Sequence, residues 1–193
     1  MIHCSLGFTE DEADTVARLY WQAFSGKLIS VMGPEAKAHR FITSVLDPSH
    51  AIVARNEAGQ LLGVVGFKTF QGALVGGEFS DMRASYGMFG AIWRSVAVSM
   101  LERDVDNTRF LMDGIFVPSD ARGQGVGTAL LDAICNEART RNYPSVRLDV
   151  IDTNPRAHAL YERYGFKEVG QTSIGPLRYI FGFNVATTMV KPV

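Results

Sequence analysis

The run Arg122-Gly123-Gln124-Gly125-Val126-Gly127-Thr128 lies where a strand-like segment gives way to a helix-like one. A helix start presents N–H groups with no partner inside the helix, together with the positive end of the macrodipole. Glycines let the backbone approach a ligand closely. These properties together make a cradle for a pyrophosphate. Two other readings compete with it. One is a plain glycine-rich turn. The other is a dinucleotide fold, in which Asp149 would hold a ribose. Against the second, the segment from Gly123 reads Gly-Gln-Gly-Val-Gly-Thr, which displaces the third glycine of that fingerprint. Pro118-Ser-Asp-Ala-Arg122 also separates strand from glycines. No Gly-Lys-Ser/Thr follows, so a Walker-type loop is ruled out.

Asp113 and Asp149 each interrupt an apolar, strand-like run. A carboxylate in such a run needs a reason. One reason is a substrate cleft opening between two adjacent strands, where a carboxylate takes a proton from an incoming group. The other is a structural hydrogen bond or salt bridge, for instance to Arg147 or Arg178. Asn154, followed by Pro155, reads as a helix cap. Tyr161, taken alone, reads as packing beside Leu160 and Phe166.

These residues need elements to hold them. Residues 2–8 read as a strand. Thr9 and Glu12 form a capping box, so a helix is expected from there to about Phe24. Val16, Leu19, Tyr20 and Phe24 give it an apolar face. A second helix is expected from Pro34 to Leu46. Ala51–Arg55 and Leu61–Phe67, joined by a short polar loop, read as a hairpin. From about Asp81 to Glu102, Met82, Tyr86, Phe89, Trp93, Val96 and Met100 recur at helical spacing. This is an amphipathic helical insertion, about 78–105, between the third and fourth strands. Its stripe either lids or lines a substrate site or packs on the domain, or on a second copy in a homodimer. Phe110–Val117 is the next strand. A helix follows over Gly125–Arg141, then a strand over Val146–Ile151 and a short helix from Asn154 to Arg163. Phe166–Ile174 and Tyr179–Val190 close the chain as β structure. Strand, helix, strand over 109–151 implies a right-handed parallel crossover. The hairpin implies antiparallel pairs. The fold class is therefore α/β with a central mixed β-sheet flanked by helices, in a single domain over 1–193.

The apolar fraction is 47%, enough to build a core. With 19 basic and 20 acidic residues, no cationic excess exists to drive nucleic-acid binding. No run suits a membrane span. No signal-peptide pattern opens the sequence, which predicts a cytoplasmic protein. Cys4 and Cys135 are expected to stay unpaired there. The four histidines show no metal-ligand spacing, so no metal is expected.

Two blocks carry a resemblance. Asp113 to Leu131 resembles the acetyl-CoA-binding core of the GNAT superfamily of N-acetyltransferases, whose Arg/Gln-x-x-Gly-x-Gly/Ala pattern is met by Arg122, Gly125 and Gly127. Asn154-Pro-Arg-Ala157-His-Ala-Leu-Tyr161-Glu-Arg-Tyr-Gly165-Phe166 is similar to that family's Asn-x-x-Ala-x-x-x-Tyr-x-x-x-Gly-Phe segment. The close resemblance covers roughly residues 109–170. It implies a GNAT-like acyl-CoA N-acyltransferase fold with acetyl-CoA as cosubstrate. It implies that the backbone of Gly123, Gln124, Gly125, Val126, Gly127 and Thr128 holds the pyrophosphate. The main chain of Ile115, Phe116 and Val117 would run beside the pantetheine arm, and Asn154 would contact that arm. Tyr161 would face the thioester sulfur and protonate the departing thiolate; a phenol of ordinary pKa, about 10, carries its proton at neutral pH. The oxyanion would be met by the main chain near Phe116 and Val117. In Leu148-Asp149-Val150, Asp149 occupies the place of a catalytic glutamate in ribosomal-protein alanine acetyltransferases. Being one methylene shorter, it would need a bridging water.

Three functions fit this sequence. The first is an N-acetyltransferase acting on a small-molecule amine, with Asp113 or Asp149 as base. The second is a peptide or protein N-terminal acetyltransferase. The third is a non-catalytic acyl-CoA-binding module, against which Tyr161 argues, because a pure binder needs no proton donor.

Overall fold

The computed structural model describes residues 1–99 and 108–193. Strand β1 (His3–Leu6) leads into helix α1 (Ala13–Met32), then α2 (Glu35–Val45), β2 (Ala51–Arg55), β3 (Leu61–Thr69) and the short β4 (Gly72–Ala73). Helix α3 (Phe79–Ser99), β5 (Phe110–Phe116), α4 (Val126–Thr140), β6 (Ser145–Ile151) and α5 (Pro155–Tyr164) follow. Strand β7 (Lys167–Ser173), α6 (Arg178–Phe181) and β8 (Val185–Pro192) complete the chain.

The strands form one mixed sheet in the order β1-β2-β3-β5-β6-β8-β7, with β4 attached to β3. Among the described residues only β5 and β6 run parallel, and the other pairs are antiparallel. Strand β7 is a border strand, exposed along its whole length. Its pairing with β8 skips Val169 between Glu168 and Gly170, a bulge.

Two cores cover the sheet's faces. On one side, Val126, Leu130, Ile134 and Ala138 of α4 pack on Val65, Phe67, Val146 and Leu148. Strict alternation along β6 puts Val146, Leu148 and Val150 into that core and turns Arg147 and Asp149 to the other side. On that other side, α1 and α2 bury Val16, Trp21, Phe41 and Ile42.

Some boundaries differ from the sequence reading. The first strand is shorter, His3–Leu6. Helix α1 does not stop near Phe24; it runs through Gly26 to Met32, because Val31 and Met32 bury against the second core. The capping box is present one turn ahead of it, with Thr9 N–H donating to Glu12 Oε2 at 2.9 Å. The reading of Tyr179–Val190 as continuous β structure is corrected. Tyr179 to Phe181 are helical, ended by Gly182 at φ 70°, and the strand starts at Val185. The insertion is helical but broken at Gly87, whose φ of 72° and ψ of 173° suit glycine alone. It lies between β4 and β5, because β4 adds one strand to the expected count. Met100 and the rest of the expected helix to Glu102 lie outside the described residues.

Candidate active site

The glycine turn forms as expected. After β5 a 3-10 turn (Ser119–Ala121) reverses the chain, and Arg122 Nε donates to Val117 O at 3.1 Å to close it. Gly123 and Gly125 have φ of 77° and 83°, and Gly125 is the residue before α4. A side chain there would be strained by the backbone alone. Around both, nothing lies within 4 Å of where a Cβ would stand. The first N–H bonded to Gly125 O is that of Ala129, so Val126, Gly127 and Thr128 open the helix with N–H groups that the helix leaves unused. No acidic residue occupies that first turn. Open space, spare donors and no opposing charge fit a pyrophosphate. Gly127 has a packing reason as well, since a Cβ would come 3.3 Å from Leu160. Gln124 Nε2 is bonded to Asp120 O, which fixes the loop rather than aiming at a ligand.

Beyond this turn the sheet opens. Strands β5 and β6 pair only at Phe110–Val146 and Leu111–Arg147. Past those pairs, the β6-facing side of β5, including Ile115 and Phe116, has no ladder partner among the described residues. Such an edge suits an amide-bearing arm laid down like a strand, with Val117 next in line. On its other side β5 keeps its register with β3, except that Gly66 pairs with Gly114 and Phe67 with Met112. Asp113 is therefore the extra residue of a bulge. The bulge shifts the alternation by one and leaves Asp113 exposed in an otherwise buried run.

Both aspartates line a cavity of about 840 Å³ on the α1–α2 side, shared with Tyr20, Lys27, Met82 and Ser95 among others. Asp149 is well held. Thr188 Oγ1 donates a short hydrogen bond to Oδ1, and Arg147 bonds Oδ2 at 3.3 Å. The salt bridge to Arg147 expected as one alternative is thus present, and Asp149 reaches the cavity as well. Lys27, on α1, was not singled out by sequence, and Tyr20 was read only as part of the apolar face of that helix. Lys27 extends over the Phe24 ring, with Nζ 4.2 Å from its centre. Burial lowers its pKa, and the Asp113 and Asp149 carboxylates oppose that shift. Burial raises the Tyr20 pKa, and Asp113 adds to it. The spacing Tyr20, Phe24, Lys27 marks one helix face, the signal that could have found them.

Tyr161 sits apart. It is 5% exposed and belongs to the α4-side core, edge-on to Phe166 at 5.9 Å. Burial pushes its pKa up, so the hydroxyl keeps its proton. The structure brings Asp113 and Asp149 together on one face of the sheet and leaves Tyr161 on the other, with the β5–β6 opening between. Asn154 caps α5, its Oδ1 accepting the Ala157 N–H at 3.2 Å.

The insertion divides in two. Met82 is buried and lines the cavity; Tyr86 is buried and donates to Met32 O at 2.5 Å. Past the break, Phe89 is 88% exposed, and Trp93 and Val96 also face outward. Ser95, Val98 and Ser99 meet the cavity instead. Among the described residues, one set of metal-ligand types converges, His158, Glu162 and Glu168. The His158 ring already faces a carboxylate at each nitrogen, Glu168 at 2.7 Å and Glu162 at 3.5 Å. No described helix is long and apolar enough to cross a membrane.

Comparison with known proteins agrees with this architecture. A stretch of 63 residues is 44% identical to Acetyltransferase Atu2258 of Agrobacterium fabrum, covering 33% of this chain and 43% of that one. Another of 58 residues is 40% identical to human N-acetyltransferase 8, covering 30% and 26%. The matches therefore span less than half the length of these relatives. The crystal structure of an N-acetyltransferase from Staphylococcus aureus Mu50 superposes with a TM-score of 0.71 at 14% identity, over 98% of this chain and 100% of that one. At that identity the likeness concerns the fold. The family model described as acetyltransferase (GNAT) family matches residues 13–166. With that match over most of its length, the chain belongs to the GNAT acetyltransferase family.

Proposed function

We propose that this protein transfers the acetyl group of acetyl-CoA to the amine of a small molecule, by direct attack in a ternary complex in the cytoplasm. The observation that carries this reading is the opening between β5 and β6, with the glycine turn leading to it and a carboxylate-lined cavity on its far face. A cavity of about 840 Å³ suits a small amine better than a long peptide.

The residues divide the work. The N–H groups at the start of α4 bind the pyrophosphate, and the free edge of β5 at Ile115–Val117 binds the pantetheine amides. Acetyl-CoA supplies an activated acetyl thioester. Asp149, oriented by Thr188 and Arg147, takes a proton from the acceptor ammonium, directly or through a water, with Asp113 beside it. Tyr161, protonated because it is buried, gives its proton to the leaving sulfur. A backbone N–H near Phe116 meets the developing oxyanion.

A thiol-release assay over small amines and peptides, run beside Tyr161→Phe, tests the reading. Release with small amines, sharply reduced in the variant, is the expected result. Peptides as the preferred acceptors, or no heat on titrating coenzyme A, would overturn it.

A further inference from the structure

The polar floor of the cavity holds charges of both signs. Asp113 and Asp149 enter from the strands and Lys27 from α1, while Lys68 and Glu78 also line the cavity. Lys27 is close enough to both carboxylates to be acted on by each. An acceptor with only an ammonium would find the carboxylates and be repelled by Lys27. An acceptor with an anion next to its amine would use all three groups.

An anion placed beside Lys27 on this floor would be favoured. Despite two carboxylates nearby, burial lowers the Lys27 pKa, and an anion set beside the ammonium would offset that burial. Farther in, the walls are apolar: Trp21, Phe41, Met82 and Phe183 are all nearly fully buried and line the same cavity.

We propose that the acceptor is a free α-amino acid with an apolar side chain. Its ammonium lies at Asp113 and Asp149, its carboxylate at Lys27, and its side chain along Trp21, Phe41, Met82 and Phe183. Because the three charged groups act on one another within one floor, the acceptor's own charges belong on one carbon, not at the ends of a long chain. A peptide N-terminus lacks that anion, its carboxylate having become an amide. This inference rests on the acyl-transfer reading and narrows it.

The test compares L-phenylalanine with its amide and with 2-phenylethylamine, and L-leucine with its amide, in wild type, Lys27→Met and Lys27→Arg. Thiol release and calorimetry of coenzyme A binding are both measured. Wild type should favour the free acid over the amide by about tenfold or more in kcat/KM, mostly through KM, the size expected of one charge-assisted contact. Lys27→Met should bring that ratio near one, and Lys27→Arg should restore most of it. Amide or plain amine preferred by wild type, or a ratio unchanged in Lys27→Met, overturns the proposal. If coenzyme A binds but none of these acceptors releases thiol, the amino-acid assignment fails and the nucleotide cradle stands. If coenzyme A does not bind, the acyl-transfer reading itself fails.

Discussion

Asp113 and Asp149 stand level with each other on two parallel strands that have already parted. Each lies two residues beyond the last bonded pair, Leu111 and Arg147. Asp113 gets there through a bulge and Asp149 through plain alternation. Two carboxylates at the mouth of one opening can divide the tasks of binding and abstraction.

Asp149→Asn should lower kcat/KM for the acceptor by roughly 10²-fold at neutral pH. The loss should shrink as pH rises, because the acceptor amine then sheds its proton unaided. A pH profile of thiol release checks this. If Asp149→Asn and Asp113→Asn both keep full activity across the range, neither carboxylate is the base.

Tyr161→Phe separates chemistry from binding. It should reduce kcat by roughly 10²-fold or more, with coenzyme A affinity by calorimetry changed only a few-fold. An equal loss of affinity would instead mark Tyr161 as a packing residue, which its contact with Phe166 would explain.

Gly125→Ala adds a methyl group in open space but on a backbone with φ of 83°. The strain should cost about 1–2 kcal/mol of stability, read from the urea midpoint. Coenzyme A binding should fall further than stability does, because a relaxed turn re-aims the N–H groups at the start of α4.

Glu12 gives a pH test away from the cavity. Arg55 grips its carboxylate at 2.6 and 2.8 Å and, with the Thr9 N–H, holds its pKa down to about 2. A depressed pKa stabilises the fold above the unfolded-state value and is lost as pH falls through the folded one. Glu12→Gln should therefore cost on the order of 2–3 kcal/mol at neutral pH. The difference from wild type should disappear between about pH 4 and pH 2. Denaturation curves at both ends of that window decide it.

The parts of the site that were legible in sequence are the local ones. The Asn154 cap and the Gly125 turn are each set by a few neighbouring residues, and the turning of Asp149 away from the core follows from a period of two. The bulge at Asp113 was not legible, because it is a property of two strands paired across many intervening residues. Lys27 was missed for a related reason. Ser25-Gly26 looks like a helix end, and only the burial of Val31 and Met32 against distant partners carries α1 onward. The insertion shows the same limit. Its apolar period runs on past Gly87, but among the described residues of the stripe only Met82 and Tyr86 found cover.

Strand β7 has a consequence for handling the protein. Seven residues lie bare along the rim, and unpaired main-chain groups there invite stray strands to zip on. The surplus residue, Val169, kinks that row of amides, and Lys167 and Glu168 place charge beside it. A foreign ribbon would meet a crooked selvedge there, a geometry that works against flat strand-on-strand addition.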